Sequence, residues 1–283
     1  MEKKEPISRR EFLKDMCFVA GGSLLATCPW FSAFAQEKET AREKGRVAVI
    51  GTGSRGRYHL RHLMNDPKAE VVAICDDYQP SIDEALKIAP KAKVYKDYRK
   101  LLENKDIDGV VIATPLHVHR MMVTDAFAAG KHVMCEKSIT KTLEDTLAVY
   151  KAYQRSGRVF FVGQQRLFDP RYIKAMTLIE QGEFGPIEGI KTYWYRNNDW
   201  RRKVPSPELE RKINWRLYRD YSLGMMTELA CHQIQVGSWA LKALPNTIMG
   251  SGSIVHWKDG REVYETMVVM TIVFSTMFSR NID

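Results

Sequence analysis

Residues 51–56 read Gly51-Thr52-Gly53-Ser54-Arg55-Gly56, a G-x-G-x-x-G pattern preceded by an apolar, β-branched run at 46–50. The pattern suits a pyrophosphate. Its first glycine allows a tight turn, its second lets the backbone approach the phosphates, and its third lets the next helix pack closely on the strand. The positive end of that helix then faces the anion, with Ser54 and Arg55 as further contacts of the loop. About twenty residues on, where the dinucleotide fingerprint requires an acid, the run EVVAIC at 70–75 ends at Asp76-Asp77. A carboxylate at that point accepts hydrogen bonds from an adenosine ribose and repels a 2′-phosphate, which favours NAD over NADP. Register prefers Asp76. The plainer alternative for both aspartates is a turn.

These residues need a scaffold, and the sequence supplies the periods of one. Helical patterns at 80–89, 98–104, 124–129 and 143–156 alternate with short apolar runs at 94–95, 107–113, 131–135 and 159–162. Strands alternating with helices at this spacing predict an α/β, Rossmann-type doubly wound parallel sheet with right-handed crossovers. Ligands bind at the carboxyl ends of such strands. Thr114, Pro115, His117 and His119 follow the fourth strand, Glu136-Lys137-Ser138 the fifth, and Gly163-Gln164-Gln165-Arg166 the sixth. Thr114, Pro115, His117, Glu136 and Gln164 are therefore expected to contact the cofactor, and Arg166 the substrate. Further on, Glu228 and His232 stand four residues apart, on one face if that segment is helical. No third and fourth ligands stand at metal spacing around the histidines, so no metal is expected.

The motifs GTGSRG, AICDD, ATPLHVH, CEKS, VGQQR and MTELACHQI occur in this order. In order and spacing they resemble the glucose–fructose oxidoreductase / inositol dehydrogenase / MocA (Gfo/Idh/MocA) family from about Arg46 onward. The resemblance implies a dinucleotide-binding domain at 46–165, then an α+β domain at 166–283. In the second, a mostly antiparallel open sheet serves as substrate platform and often as oligomer interface. It also implies an NAD-dependent oxidoreductase acting on a ring hydroxyl or keto group of a sugar, glycoside or cyclitol. Lys137 corresponds to the lysine of the family's Glu-Lys-Pro motif, and Glu228 and His232 to its Asp-x-x-x-His pair. Removing hydride from a secondary alcohol requires a base for the hydroxyl proton. A lysine beside a positive nicotinamide has a lowered pKa, and an acid beside a histidine orients it. Lys137 and His232 are thus the expected hydroxyl-binding and proton-transfer groups, with Glu228 orienting, and either could take the proton. The plainer alternatives are a surface lysine, a core histidine and a helix cap. Three departures stand out: Ser138 replaces a proline, Glu228 an aspartate, and Gln235 a second aspartate.

The run KTYWYRNNDWRRK at 191–203 interleaves aromatic and basic residues. Carbohydrate stacking on Trp200, with Asn198 and Arg201 as polar contacts, is the expected role, in preference to nucleic-acid stacking. Residues 189–195 also read as the first strand of the second sheet. Residues 247–256 and 266–274 read as further strands joined through Asp259-Gly260. Family members continue past this point, so the sheet is expected to be incomplete, with an open apolar edge.

A formal net charge of +9 is scattered along the chain, and no nucleic-acid partner is expected. Residues 8–14, Ser8-Arg9-Arg10-Glu11-Phe12-Leu13-Lys14, carry a twin-arginine pattern, followed by an apolar stretch and the small-x-small site Ala33-Phe34-Ala35. Residues 1–35 therefore read as a twin-arginine signal and 36–45 as a linker. The expectation is an exported, periplasmic protein carried folded by the twin-arginine machinery. A lipid anchor at Cys28 is the lesser alternative. Cys75, Cys135 and Cys231 would remain, too scattered for a disulfide framework. The expected partner is a small carbohydrate, and a homo-oligomer is expected if the full sheet is present. Two other readings stay open: an NAD-dependent glycosidase using transient oxidation and elimination, and a non-catalytic dinucleotide- or sugar-binding protein.

Overall fold

The computed structural model describes residues 44–272. The expected signal and nearly all of the linker, Cys28 included, lie outside the described residues. The first half runs β1 (Gly45–Ile50), α1 (Ser54–Met64), β2 (Ala69–Cys75), α2 (Gln79–Leu86), β3 (Lys93–Tyr95), α3 (Tyr98–Leu102), β4 (Gly109–Ile112), α4 (His119–Ala128), β5 (His132–Cys135), α5 (Leu143–Ser156) and β6 (Phe160–Val162). All six strands are parallel, in the order β3-β2-β1-β4-β5-β6. The order reverses between β1 and β4, and the crevice outside their carboxyl ends is the ligand position of a doubly wound sheet.

The sequence of β1 explains why this sheet is covered on both faces. Successive strand residues point to opposite sides. Ala48 and Ile50 pack with Leu101, Phe127 and Val149 from α3, α4 and α5. Val47 and Val49 pack with Leu60, Leu63, Ile82 and Ala85 from α1 and α2. Burying both faces requires the continuous apolar runs that β1, β4 and β5 carry. Helix ends are set locally. The Thr142 side chain accepts from Asp145 N at 3.1 Å to start α5, and Gly157, at φ 62°, ends it.

The second half contains α6 (Pro170–Glu180), α7 (Glu210–Ile213), a π-helical turn (Met226–Ala230), α8 (Cys231–Leu241), and an antiparallel pair β7 (Thr247–Ser253) and β8 (Thr266–Ile272). The expected strand at 189–195 does not form. Among the described residues β7 and β8 pair only with each other, so this run has no adjacent ladder, and Tyr193 and Tyr195 pack ring against ring at 5.4 Å instead. Among the described residues no helix is long and apolar enough to cross a membrane, and no cluster of three His, Cys, Asp or Glu could hold a metal.

Leu60 is fully buried under β1, whereas Val268 on β8 is 73% exposed. Leu60→Ala is expected to cost about 2–5 kcal/mol in denaturant unfolding. Val268→Ala should cost about 0.5 kcal/mol or less. Equal losses would contradict this location of the core.

Candidate functional site

The three loop glycines are needed for three different reasons. Gly51 sits at φ +88°, and a Cβ there would lie 2.8 Å from Ala113 C and Thr114 N. A Cβ on Gly56 would lie 1.8 Å from Gly51 O. Gly53 has open space where a Cβ would point, which leaves that face of the turn free for a ligand. Asp76 closes the turn from below: its carboxylate accepts from Thr52 N at 2.7 Å, Thr52 Oγ1 at 3.1 Å and Tyr78 N at 2.9 Å. Asp77 stands at the surface, paired with Lys212 Nζ at 2.8 Å. Of the two acids at the end of β2, Asp76 is thus engaged with the loop itself and Asp77 faces outward.

At the end of β5, Glu136 is buried. Arg55 Nε donates to its Oε1 at 2.6 Å, His59 Nε2 stands 2.7 Å from the same oxygen, and Lys137 N donates to Oε2 at 3.2 Å. Burial would raise this carboxyl's pKa, but the His59 hydrogen bond and the Arg55 charge outweigh it and bring it down to about 2. Arg55 and Glu136, both expected to touch a cofactor, have their side chains engaged with each other and brace α1 against β5.

Lys137 follows directly. Its Nζ donates to Glu228 O at 2.6 Å and lies 3.9 Å from Glu228 Oε2. The Lys137–Ser138 peptide is cis, and Ser138 Oγ donates to Thr227 O at 2.8 Å. The serine that stands where the family carries proline therefore ties β5's end to the π-helical turn. His119 is buried with Nδ1 at 3.0 Å from Ser138 O and Nε2 at 2.9 Å from Thr114 O. It joins the loops after β4 and β5, and burial holds its pKa below the ordinary value. His117 packs edge-on against Tyr221 at 4.6 Å. Burial, then the Lys141 charge, lowers its pKa.

Glu228 does not orient His232. Its buried carboxylate accepts from Arg216 Nε at 2.9 Å and from Ser222 Oγ at 3.2 Å. A guanidinium makes a charge-assisted bond roughly twice as strong as a neutral one, which explains the choice of partner. His232 is held by Gln164: Nδ1 lies 3.0 Å from Gln164 Oε1. With the amide oxygen as acceptor, Nδ1 carries the proton and Nε2 keeps its lone pair. Burial, then the charges of Lys137 and Arg166, lowers the His232 pKa to about 4, so the ring is neutral at physiological pH. Gln164, expected at the cofactor, thus has its side chain on the histidine.

A cavity of about 410 Å³ opens beside these groups. It is lined by Lys137, Arg216, Glu228 and Leu229 and by the run Asn198, Asp199, Trp200, Arg201 and Arg202. His232 and Arg166 are not among its lining residues. Arg166 Nη1 donates to Tyr172 OH at 2.9 Å and lies 5.5 Å from the Trp194 ring. Arg201 reaches the wall, and each of its guanidinium nitrogens is bonded, with Asp259 Oδ2 at 2.9 Å, Asp259 O at 2.8 Å, and Glu210. Expected as a substrate contact, it lines the cavity and also anchors the loop. Thr114 Oγ1 contacts Met122 Sδ at 3.5 Å, and Pro115 precedes the short 3₁₀ turn Leu116–Val118. The partner of Glu228, Arg216, has no motif of its own. Its only sequence signal is the dense basic and aromatic composition around Trp215.

Two family models match the chain. One, described as an oxidoreductase family with NAD-binding Rossmann fold, covers residues 45–164, and the other, a GFO/IDH/MocA C-terminal domain, covers residues 172–277. Inositol 2-dehydrogenase of Salmonella typhimurium is 36% identical over 186 residues, 62% of this chain and 55% of that protein. A glycosyl hydrolase family 109 protein of Stenotrophomonas maltophilia is 34% identical over 192 residues, 64% of this chain and 40% of that protein. A scyllo-inositol dehydrogenase from Lactobacillus casei, solved with NAD(H) and scyllo-inositol, shares the fold with a TM-score of 0.66 at 22% identity, covering 81% of this chain and 66% of that one. The chain spans about half the length of the curated relatives it matches.

The glycines generate a contrast. Gly53→Ala has room for its methyl group, so unliganded unfolding should be nearly unchanged while stabilisation by NAD falls. That stabilisation is about 2.7 kcal/mol at 100 times the dissociation constant. Gly56→Ala, forced against Gly51 O, should lower stability with or without NAD. For Glu136, a folded pKa of about 2 against the ordinary 4.5 gives stability that is complete above pH 4.5 and lost as pH falls toward 2. Glu136→Gln should be less stable than wild type at pH 7, and the gap should close across that window in acid unfolding curves.

Proposed function

Because the chain belongs to the Gfo/Idh/MocA oxidoreductase family, with an NAD-binding Rossmann domain at its start, we propose that it transfers hydride between NAD and a ring hydroxyl or keto group of a sugar, glycoside or cyclitol in the cavity beside Lys137. One observation carries this reading: Lys137, at the carboxyl end of β5, lines a ligand-sized cavity on the side of the sheet where such folds bind their ligands. NAD supplies the hydride acceptor. The glycine loop fits it, because the left-handed Gly51, the close-packed Gly56 and the open face at Gly53 together form a cradle that larger residues would fill.

The chain's own groups divide the remaining work. Lys137 has three N–H donors, of which one is on Glu228 O. The others are available to hold the substrate hydroxyl. His232 stands outside the cavity lining but feels the charge of Lys137; neutral and with Nε2 free of the proton, it is the base of this reading for a hydroxyl held by Lys137. Trp200 supplies a stacking face, and Asn198 a polar contact on the same wall. Export belongs to this reading: the twin-arginine pattern at 8–14 supports a periplasmic protein delivered folded, with anchoring at Cys28 the lesser alternative. Association of copies through the β7–β8 sheet is supported by exposed Ile248 and Val268. The similarity to a glycosyl hydrolase family 109 protein favours one second reading, glycoside cleavage with no net NADH.

The test is NADH formation against inositols, monosaccharides and aryl glycosides. Lys137→Ala and His232→Ala should each lower kcat by about 10²-fold or more. The acid limb of the wild-type pH profile should fall near 4, because His232 protonates there and not at its ordinary 6.5. Aglycone release without NADH would establish the second reading. NAD binding with no turnover of any compound, unchanged by either substitution, would establish a non-catalytic binder.

A further inference from the structure

Five arginines stand around the cavity and the glycine loop, and four are accounted for, Arg55 by Glu136. Arg201 is held by Asp259 and Glu210, Arg216 by Glu228, and Arg57 Nη1 donates to Thr52 O at 2.9 Å. Arg202 has no carboxylate partner among the described residues. Its Nη2 donates to Ser54 Oγ at 3.3 Å, on the first residue of α1 and next to the open face of Gly53.

The backbone beneath it is built for this reach. Asn214 is buried, accepts from Arg202 N at 2.7 Å, and donates to Arg202 O at 3.0 Å. A third bond, from Asn214 Nδ2 to Glu210 Oε2 at 3.0 Å, fixes the amide. A buried polar side chain that satisfies both backbone groups of a single loop residue holds that residue in register against the first domain. A second contact from the same segment crosses nearby, Lys212 to Asp77 at the end of β2.

The charge balance points the same way. Partial burial and the neighbouring charges of Arg216 and Arg57 lower the pKa of Arg202. Bringing guanidinium groups together is unfavourable unless an anion joins them, and guanidinium matches phosphate oxygens in a bidentate fork. The loop glycines and the start of α1 already favour an anion at this place.

We propose that Arg202 is a cofactor-binding residue contributed by the second half of the chain, clamping the dinucleotide pyrophosphate onto the glycine loop, with Asn214 as its positioning residue. The proposal rests on the NAD reading above. Because Arg202 also lines the cavity, an anionic group on the substrate is the competing occupant of the same chemistry.

Calorimetric titration of wild type and Arg202→Met with NAD, ADP-ribose and glucuronate separates these cases. Arg202 packs on the loop surface, so unliganded unfolding of the variant should match wild type. Loss of a charge-assisted phosphate contact should weaken both NAD and ADP-ribose by about tenfold or more. Arg202→Lys should recover part of the loss, because it restores the charge without the fork. Equal nucleotide affinities in wild type and Arg202→Met would overturn the clamp. So would weakened glucuronate binding with nucleotide affinity intact, which would assign Arg202 to the substrate. Failure of the wild-type chain to bind either nucleotide would instead overturn the NAD reading itself, and the clamp with it.

Discussion

Two hydrogen bonds set the geometry on which the site depends. Lys137 Nζ donates to Glu228 O at 2.6 Å, and Ser138 Oγ donates to Thr227 O at 2.8 Å. They join the carboxyl end of β5 to consecutive carbonyls of the π-helical turn. That turn frees carbonyls from the ordinary i→i+4 pattern, and π-turns often mark functional segments. Without this junction, Lys137 and Glu228 would not both line the cavity, and His232, second in the following helix and one turn after Glu228, would not meet Gln164 from the end of β6. Each bond contributes only about 1 kcal/mol net. The junction therefore relies on its supports: the Arg55–Glu136–His59 group beneath β5 and the buried His119 beside Ser138, whose one N–H donates to Ser138 O or Thr114 O.

The rest of the lining is held by charge instead of a ladder. The run carrying Asn198 to Arg202 has no strand partner among the described residues. Asp199, before Trp200, pairs with the buried Arg261 at 2.8 Å, and Arg201, after it, pairs with Asp259 at 2.9 Å. Asp259 also binds Arg261 at 2.6 Å, which closes the network. Trp200 is thus presented to the cavity between two anchored neighbours. Anchoring by paired charges fixes position more than it adds stability, because desolvation offsets much of the attraction.

How much of this could be read from the sequence follows from how local each cause is. The glycine loop and β1 were legible because turn sterics and two-residue alternation act within a few positions, and the strand–helix rhythm predicted the parallel sheet, whereas the strand order with its reversal at β1/β4 is seen only in the structure. The spacing of Glu228 and His232 was equally visible, but their partners were not. Arg216 and Gln164 come from other segments, and a pairing between distant residues leaves no local pattern. The 189–195 run failed as a strand for the same reason, since alternation shows what could pair and not whether a neighbour exists. Asp76 and Asp77 illustrate the limit of register. Register already preferred Asp76, and the bonds from Thr52 and Tyr78 show what holds it there, which register does not.

The division of labour between Lys137 and His232 is the least local feature. A buried imidazole near a lysine and an arginine meets two penalties on protonation, loss of solvation and repulsion from like charge. Both act on His232, where burial is the larger and Lys137 and Arg166 add to it. The same lysine that can hold a hydroxyl therefore keeps its neighbour in the form that can accept the proton. Gln164 adds direction, because an amide oxygen at Nδ1 selects the tautomer with the lone pair on Nε2. A carboxylate in Gln164's place would select the same tautomer but favour the imidazolium, and so raise the pKa that the amide leaves low. With Glu228 bound to Arg216 and Ser222, and a neutral amide behind the histidine, under the proposed function Lys137 holds the hydroxyl and the neutral His232 takes its proton.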